Sequence, residues 1–279
     1  MSHALASQSV TETPGIREDA AHISQPCFPI KRLSNGRALL NLACGTIMHQ
    51  QWNNLDFSPY ARFRQHRSLA KVLYRVGFLS QERYQRFQNV DPNIICWNLR
   101  KGIPFGDNTF DGLYQSHFLE HLERSAALEF MVECRRVLKP SGIVRVVVPD
   151  LRLAVSDYVK ALLALECGDQ SALPAHAQAI YNLFDQMVRT EISGTAEQQP
   201  WVQRFEKIIR GNADRAGELH RWMYDQYSLG QLLTRVGFRG ARCETATSSR
   251  IPGWSEFRLD ASQDGAPKKP GSLYMEALK

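Results

Sequence analysis

Ala38-Leu39-Leu40-Asn41-Leu42-Ala43-Cys44-Gly45 is a short apolar run that closes on a turn of small residues. Such a run ending at glycine reads as a buried strand feeding a tight turn. Further along, Ile143-Val144-Arg145-Val146-Val147-Val148 is β-branched and almost unbroken, which predicts a central strand covered on both faces. Three more strand candidates lie between them: Asn54-Leu55-Asp56-Phe57 (closed by Ser58-Pro59), Ile94-Ile95-Cys96-Trp97, and Phe110 to Tyr114. Leu122 to Leu138 carries the spacing of an amphipathic helix that stops at Lys139-Pro140-Ser141-Gly142. Strand, helix and strand alternating in this way predict an open α/β fold with a parallel sheet.

Working outward, residues 1 to about 30 are rich in Ser, Thr, Pro and Ala without periodicity and read as a loose arm, leaving 31–279 as one domain. From Leu151 to Asp225 the texture is helical, with apolar repeats over Tyr158–Leu165, Ala177–Val188 and Val202–Ile209 and a polar loop from Gly194 to Pro200. We read 151–219 as a helical insertion forming a lid. Ser228 is placed to cap a helix over Leu229–Val236 that Gly237 ends, and strand-like pieces follow at Ala241–Thr245 and Ser272–Leu278.

With 279 residues, 43% hydrophobic and 22% charged, the chain has globular composition, which excludes a disordered or collagen-like polymer. A net charge of +6 favours an anionic partner without diagnosing nucleic acid. The six cysteines stand at least 17 residues apart, so no CxxC pair exists, and several sit in apolar runs. That usage predicts a reduced, cytoplasmic location. Met1 to Val10 lacks the charged and apolar regions of a secretory signal, and no apolar stretch approaches the ~18 residues of a membrane span.

In an open α/β sheet, ligands bind beyond the carboxyl ends of the strands. The turn after the first strand is Ala43-Cys44-Gly45, whose small residues admit a ligand close to the backbone. Asp56, after the second, is placed to accept hydrogen bonds from a ribose diol. The dinucleotide fingerprint of three glycines, with an acid ~20 residues on, is not met: Asp56 follows Gly45 by 11.

Asn98-Leu99-Arg100-Lys101-Gly102-Ile103-Pro104-Phe105, Asp107-Asn108-Thr109-Phe110-Asp111, Ser116-His117-Phe118-Leu119-Glu120-His121 and Leu138-Lys139-Pro140-Ser141-Gly142 follow one another in order. Together they closely resemble class I S-adenosylmethionine-dependent methyltransferases. They look most like the type 11 subgroup of bacterial enzymes with a short first crossover. His220-Arg221-Trp222-Met223-Tyr224-Asp225 and Ser272-Leu273-Tyr274-Met275-Glu276 look like the same subgroup, so the resemblance spans about 38–150 and 220–279. It implies a Rossmann-like seven-stranded sheet whose last strand, Ser272 to Leu278, is antiparallel. It also implies S-adenosylmethionine as cofactor, held by the backbone of Ala43, Cys44 and Gly45, by Asp56 at the ribose and by Asn98 and Leu99 at the adenine. Ser116 and His117 would line the methyl-transfer side. Ala43 departs from the usual glycine, and Asn98 stands where Asp is commoner. The ten residues between Gly45 and Asp56 leave no room for a full crossover helix.

The function implied is methyl transfer to an oxygen or nitrogen of a small-molecule or glycan-like acceptor. Two rivals are a cofactor-free binding module on the same fold and an anion- or nucleic-acid-binding protein. A hydroxyl acceptor needs a base, and histidine is the side chain closest to neutrality. Of eight histidines, His117 and His121 map to the ligand edge as base candidates, with His220 and Tyr224, four apart, as acceptor contacts on one helix face. His117-Phe118-Leu119-Glu120-His121 also spells H-x-x-E-H, a zinc-peptidase pattern. That chemistry needs both histidines on one helix face, whereas His117 reads as a strand end, so no metal is expected. Finally, Phe57 to Gln81 holds no acid while Arg62, Arg64, Arg67, Lys71 and Arg75 contribute +5. This reads as a solvated helix face, with an anionic acceptor or a peripheral membrane contact as sharper alternatives.

Overall fold

The computed structural model describes residues 28–62, 66–89, 91, 93–188 and 219–279. Its strands are β1 (Leu39–Leu42), β2 (Asn53–Asp56), β3 (Ile95–Cys96), β4 (Phe110–Ser116), β5 (Leu138–Pro149), β6 (Arg239–Glu244) and β7 (Ser272–Leu278). They form one sheet in the order β3-β2-β1-β4-β5-β7-β6. The first five in that order run parallel, and β7 lies antiparallel to both β5 and β6. The expected seven-stranded sheet with an antiparallel last strand is what the chain builds. Strand order reverses between β1 and β4, the place where such sheets bind ligands.

All four residues of β1 are buried, the polar Asn41 among them. Its amide donates to Asn54 Oδ1 at 3.0 Å and to Ile47 O at 2.9 Å, which ties the turn beyond β1 down onto β2. The connection from β1 to β2 holds no helix, as the ten intervening residues require. Short helices α1 (Pro59–Arg62), α2 (Arg67–Arg75) and α3 (Gln81–Asn89) join β2 to β3. Phe28 and Ile30, which the sequence places in a loose arm, pack on the main core, with Phe28 edge-on to Trp97 at 6.2 Å.

Helix α4 (Arg124–Val137) buries Ala127, Phe130, Met131 and Cys134 at helical spacing against one face of the sheet. The chain then passes directly into β5 at Leu138, where the sequence suggests a break at 139–142. Leu138 pairs with Phe110, and a register shift before Gly112 absorbs the extra residues. Gly142 is obligatory there, because a Cβ would lie 2.8 Å from Lys139 O. Past the sheet edge run α5 (Leu151–Glu166) and α6 (Leu173–Val188), packed on each other; the predicted loop 194–200 and helix 202–209 lie outside the described residues. Helix α7 (Gln226–Val236) begins three residues earlier than expected. Its cap is Asp225, which accepts from Ser228 N at 2.8 Å while Ser228 Oγ accepts from Asp225 N at 3.0 Å. This reciprocal box satisfies two helix-end donors, and a lone Ser228 cap would not.

The opposite face of the sheet is covered by Trp52, Tyr114, Ile251, Trp254 and Phe257, the last two from α8 (Trp254–Phe257). Arg145 sits fully buried within that layer. Its guanidinium donates to Asp260 (2.8 Å), Glu276 (3.0 Å), Ser248 O (2.9 Å) and Thr245 O (2.6 Å), and lies 4.4 Å from the Trp254 ring centre. Among the described residues no helix is long and apolar enough to cross a membrane.

Candidate functional site

The parallel strands deliver their carboxyl ends to one edge. Beyond β1, Ala43 and Gly45 both take left-handed φ values, 49° and 53°. For Ala43 this is a strained conformation, held because Cys44 N donates to Leu55 O at 3.2 Å and Ile47 N donates to Cys44 O at 2.9 Å. A Cβ on Gly45 would meet nothing within 4 Å, so the outer side of the turn faces open space. The Cys44 thiol is buried; burial and the neighbouring Asp56 push it well above the usual thiol range, so it stays protonated. Asp56 ends β2 nearly buried. Its Oδ2 accepts from the Ser58 backbone at 3.2 Å and from the Ser58 hydroxyl, leaving Oδ1 to accept from another donor. Asn98 and Leu99 follow β3. Asn98 Oδ1 accepts from Arg100 N at 3.0 Å and so caps the short turn Leu99–Lys101, which leaves one oxygen lone pair for a further donor.

One residue at this edge escapes the sequence reading. Gln115 in β4 lies beside Leu42 and is fully buried, yet neither end of its carboxamide has a hydrogen-bond partner among the described residues. Its only sequence signal is a single amide inside an apolar strand. A buried unpaired amide is costly, and it marks this edge as built for something more than packing.

Ser116 ends β4 and His117 leaves it with φ 52°, its N–H bonded to Val147 O at 2.8 Å. The sharp exit keeps His117 off the turn that carries Glu120 and His121, as the strand reading requires. His117 Nε2 lies 2.9 Å from Ser272 Oγ, and Nδ1 lies 3.3 Å from Glu120 Oε1. The Ser272 hydroxyl also reaches Lys269 O at 2.8 Å, so rotation of that one hydroxyl decides whether Nε2 donates or accepts. Burial, then Lys269, His220 and His121, hold His117 down at about 3. Burial pushes the carboxyl of Glu120 up to about 8. At neutral pH the two therefore form an uncharged pair. His121 Nδ1 is 3.0 Å from Leu219 O, and its ring centre is 5.0 Å from that of His220.

His220 and Tyr224 do not share a helix face. Residues 219–225 run non-helically, with Arg221 N and Trp222 N both bonded to Glu120 O and Tyr224 bridged to Asp150. Backbone pairing to the sheet edge outweighs the helical spacing there. Tyr224 is buried in the main core, whereas His220 borders a cavity of about 370 Å³ together with His117, Asp150, Asp157, Met223 and Gly271. That cavity adjoins the carboxyl ends of β4 and β5. In the basic stretch, α2 exposes Leu69 and Val72, and Val76 just past its end, beside the exposed Lys71 and Arg75.

Residues 40–146 match a family model described as a methyltransferase domain. The strand order, the turn after β1 and the acid after β2 fall within or beside that segment, which makes up less than half of the chain. Similar solved structures include S-adenosylmethionine-dependent methyltransferases from Archaeoglobus fulgidus (14% identity, 87% of this chain and 86% of that one, TM-score 0.36) and Mesorhizobium loti (13%, 90% and 94%, TM-score 0.39). A third comes from Aquifex aeolicus (12%, 90% and 84%, TM-score 0.37). No curated protein matches the chain.

Proposed function

We propose that the chain methylates an oxygen or nitrogen of a small-molecule or glycan-like acceptor, in the cytoplasm, with the acceptor seated in the cavity beside His117. The observation that carries this reading is the position of His117. It follows the strand that borders the cofactor edge, and it also lines the 370 Å³ cavity. The residues present fit S-adenosylmethionine: the open face at Gly45 admits its amino-acid end, Asp56 Oδ1 can accept from its ribose, and Asn98 with Leu99 can frame its adenine. The cofactor supplies a methyl group already activated on a sulfonium. The chain has to align acceptor, methyl and sulfur and exclude water.

Of the two candidate bases we assign the role to His117, with Ser116 beside it. Its imidazole is neutral and lines the cavity, with Glu120 Oε1 3.3 Å from Nδ1. His121 is turned to Leu219 O on the other side of the turn, and His220 contacts the acceptor from the cavity wall. Tyr224 drops out as an acceptor contact because it is core.

Calorimetric titration of S-adenosylmethionine into the wild-type chain and Asp56→Ala tests the cofactor assignment. Loss of charge-assisted hydrogen bonds at ~1.5–3 kcal/mol should weaken binding by about 10- to 100-fold. A labelled-methyl screen of small-molecule extracts then compares His117→Ala with His121→Ala. Turnover falling only in His117→Ala supports the assignment, and equal turnover in both variants refutes it. A wild-type chain that binds no cofactor would favour the binding-module reading.

A further inference from the structure

We propose that Glu120, His121 and His220 bind one divalent transition-metal ion of the zinc class, through a trio different from the helical H-x-x-E-H pattern that the sequence spells. One ligand atom from each of the three lies within 4.8 Å of the other two. Around a tetrahedral zinc with bonds of about 2.0–2.1 Å, ligand atoms sit roughly 3.3 Å apart. Side-chain rotation alone closes that difference, because the backbone is already set. Arg221 N and Trp222 N bond Glu120 O at 2.7 and 3.2 Å, which lays residue 220 against the 119–121 turn.

Two further observations point to a cation. His121 Nδ1 donates to Leu219 O at 3.0 Å, the kind of outer contact that commonly fixes a ligating imidazole. Glu120 is fully buried, and neither carboxyl oxygen has a hydrogen-bond partner among the described residues. A buried carboxyl without donors is satisfied when a cation displaces its proton, and a metal provides that charge. Two imidazoles and one carboxylate suit Zn²⁺ or Fe²⁺; Mg²⁺ and Ca²⁺ prefer all-oxygen sites. Three protein ligands leave a coordination position open, and His220 also borders the cavity described above. The site shares His220 with the proposed methyl-transfer pocket, and its Glu120 contacts His117, but metal uptake is read without turnover.

Metal-stripped full-length chain titrated with Co²⁺, a spectroscopic substitute for Zn²⁺, tests the proposal, with Zn²⁺ competition to follow. One Co²⁺ per chain is expected, with visible ligand-field bands and no thiolate charge-transfer band. Glu120→Gln and His220→Ala should each weaken binding beyond the ~10–100-fold that loss of an outer partner causes, and His66→Ala should leave it unchanged. Wild-type chain that takes up no Co²⁺, a thiolate band, or unchanged affinity in either ligand variant overturns the site. The wild-type titration can refute it even if a variant fails to fold, with His121→Gln as the reserve variant. Cofactor binding measured on the same samples separates failure of this site from failure of the methyltransferase assignment.

Discussion

Two buried clusters of titratable side chains flank the same sheet, and they are finished differently. Around Arg145, Asp260 takes Tyr114 Oη and Arg145 Nε, while Glu276 takes Arg145, the Ser249 hydroxyl and the Arg250 backbone. Around Glu120, the carboxyl oxygens take no hydrogen bond, and three imidazoles crowd the same space. A network with its members joined in this way rigidifies a core, and one left incomplete stores free energy that a ligand can release. The Arg145 cluster is therefore cement for the layer carrying α8, and the Glu120 cluster is a place where something binds.

The comparison breaks most visibly at Arg145. Arg145→Met strands two buried carboxylates and should cost about 3–5 kcal/mol in urea unfolding; a loss below ~1 kcal/mol would mean that the cluster is not structural. Tyr114→Phe removes a single hydroxyl from Asp260 and should cost about 1–3 kcal/mol by the same measurement. Glu120→Gln, by contrast, breaks no hydrogen bond to the carboxyl. Metal-free stability should shift by less than about 1 kcal/mol while Co²⁺ binding is lost. A large destabilisation there would make the two clusters alike.

The smallest effect lies at the rim. Burial opposes ionisation of Asp111, but hydrogen bonds from Lys139 Nζ at 2.8 Å and from Ala38 N hold its carboxyl below the ordinary aspartate range. A depressed carboxyl stabilises the fold at neutral pH, and that contribution fades as pH falls through its folded value. Asp111→Asn should thus cost less than about 1 kcal/mol at pH 7. Its gap from wild type should close on the acid side of about pH 4.

The contrast also explains what the sequence could reveal. Strands β1, β4 and β5 announce themselves as apolar runs, Asp56 as an acid closing one, and Ser272–Leu278 matches β7 residue for residue. Those signals are local. The Arg145 cluster joins residues more than a hundred positions apart, and His220 reaches Glu120 across a hundred more, so no window on the chain contains either. Arg145 itself reads as a solvated interruption in an apolar strand until Asp260 and Glu276 arrive around it. Local signals misled where tertiary pairing overrode them: Leu138 was recruited from a helix end into β5, and 219–225 was drawn into backbone bonds instead of a helical turn.

The strand that sits between β5 and β6 is also the last of the seven to be synthesised. Until it emerges from the ribosome, the twelve-residue β5 presents a bare hydrogen-bonding edge and β6 has no neighbour, the state most open to mispairing with another nascent chain. Lys279 then clasps the assembled product, its ammonium reaching Asn108 and the Leu138 carbonyl at 2.7 Å each. A chain without β7 would still carry the ligand-edge residues, but β5 and β6 would be left unjoined.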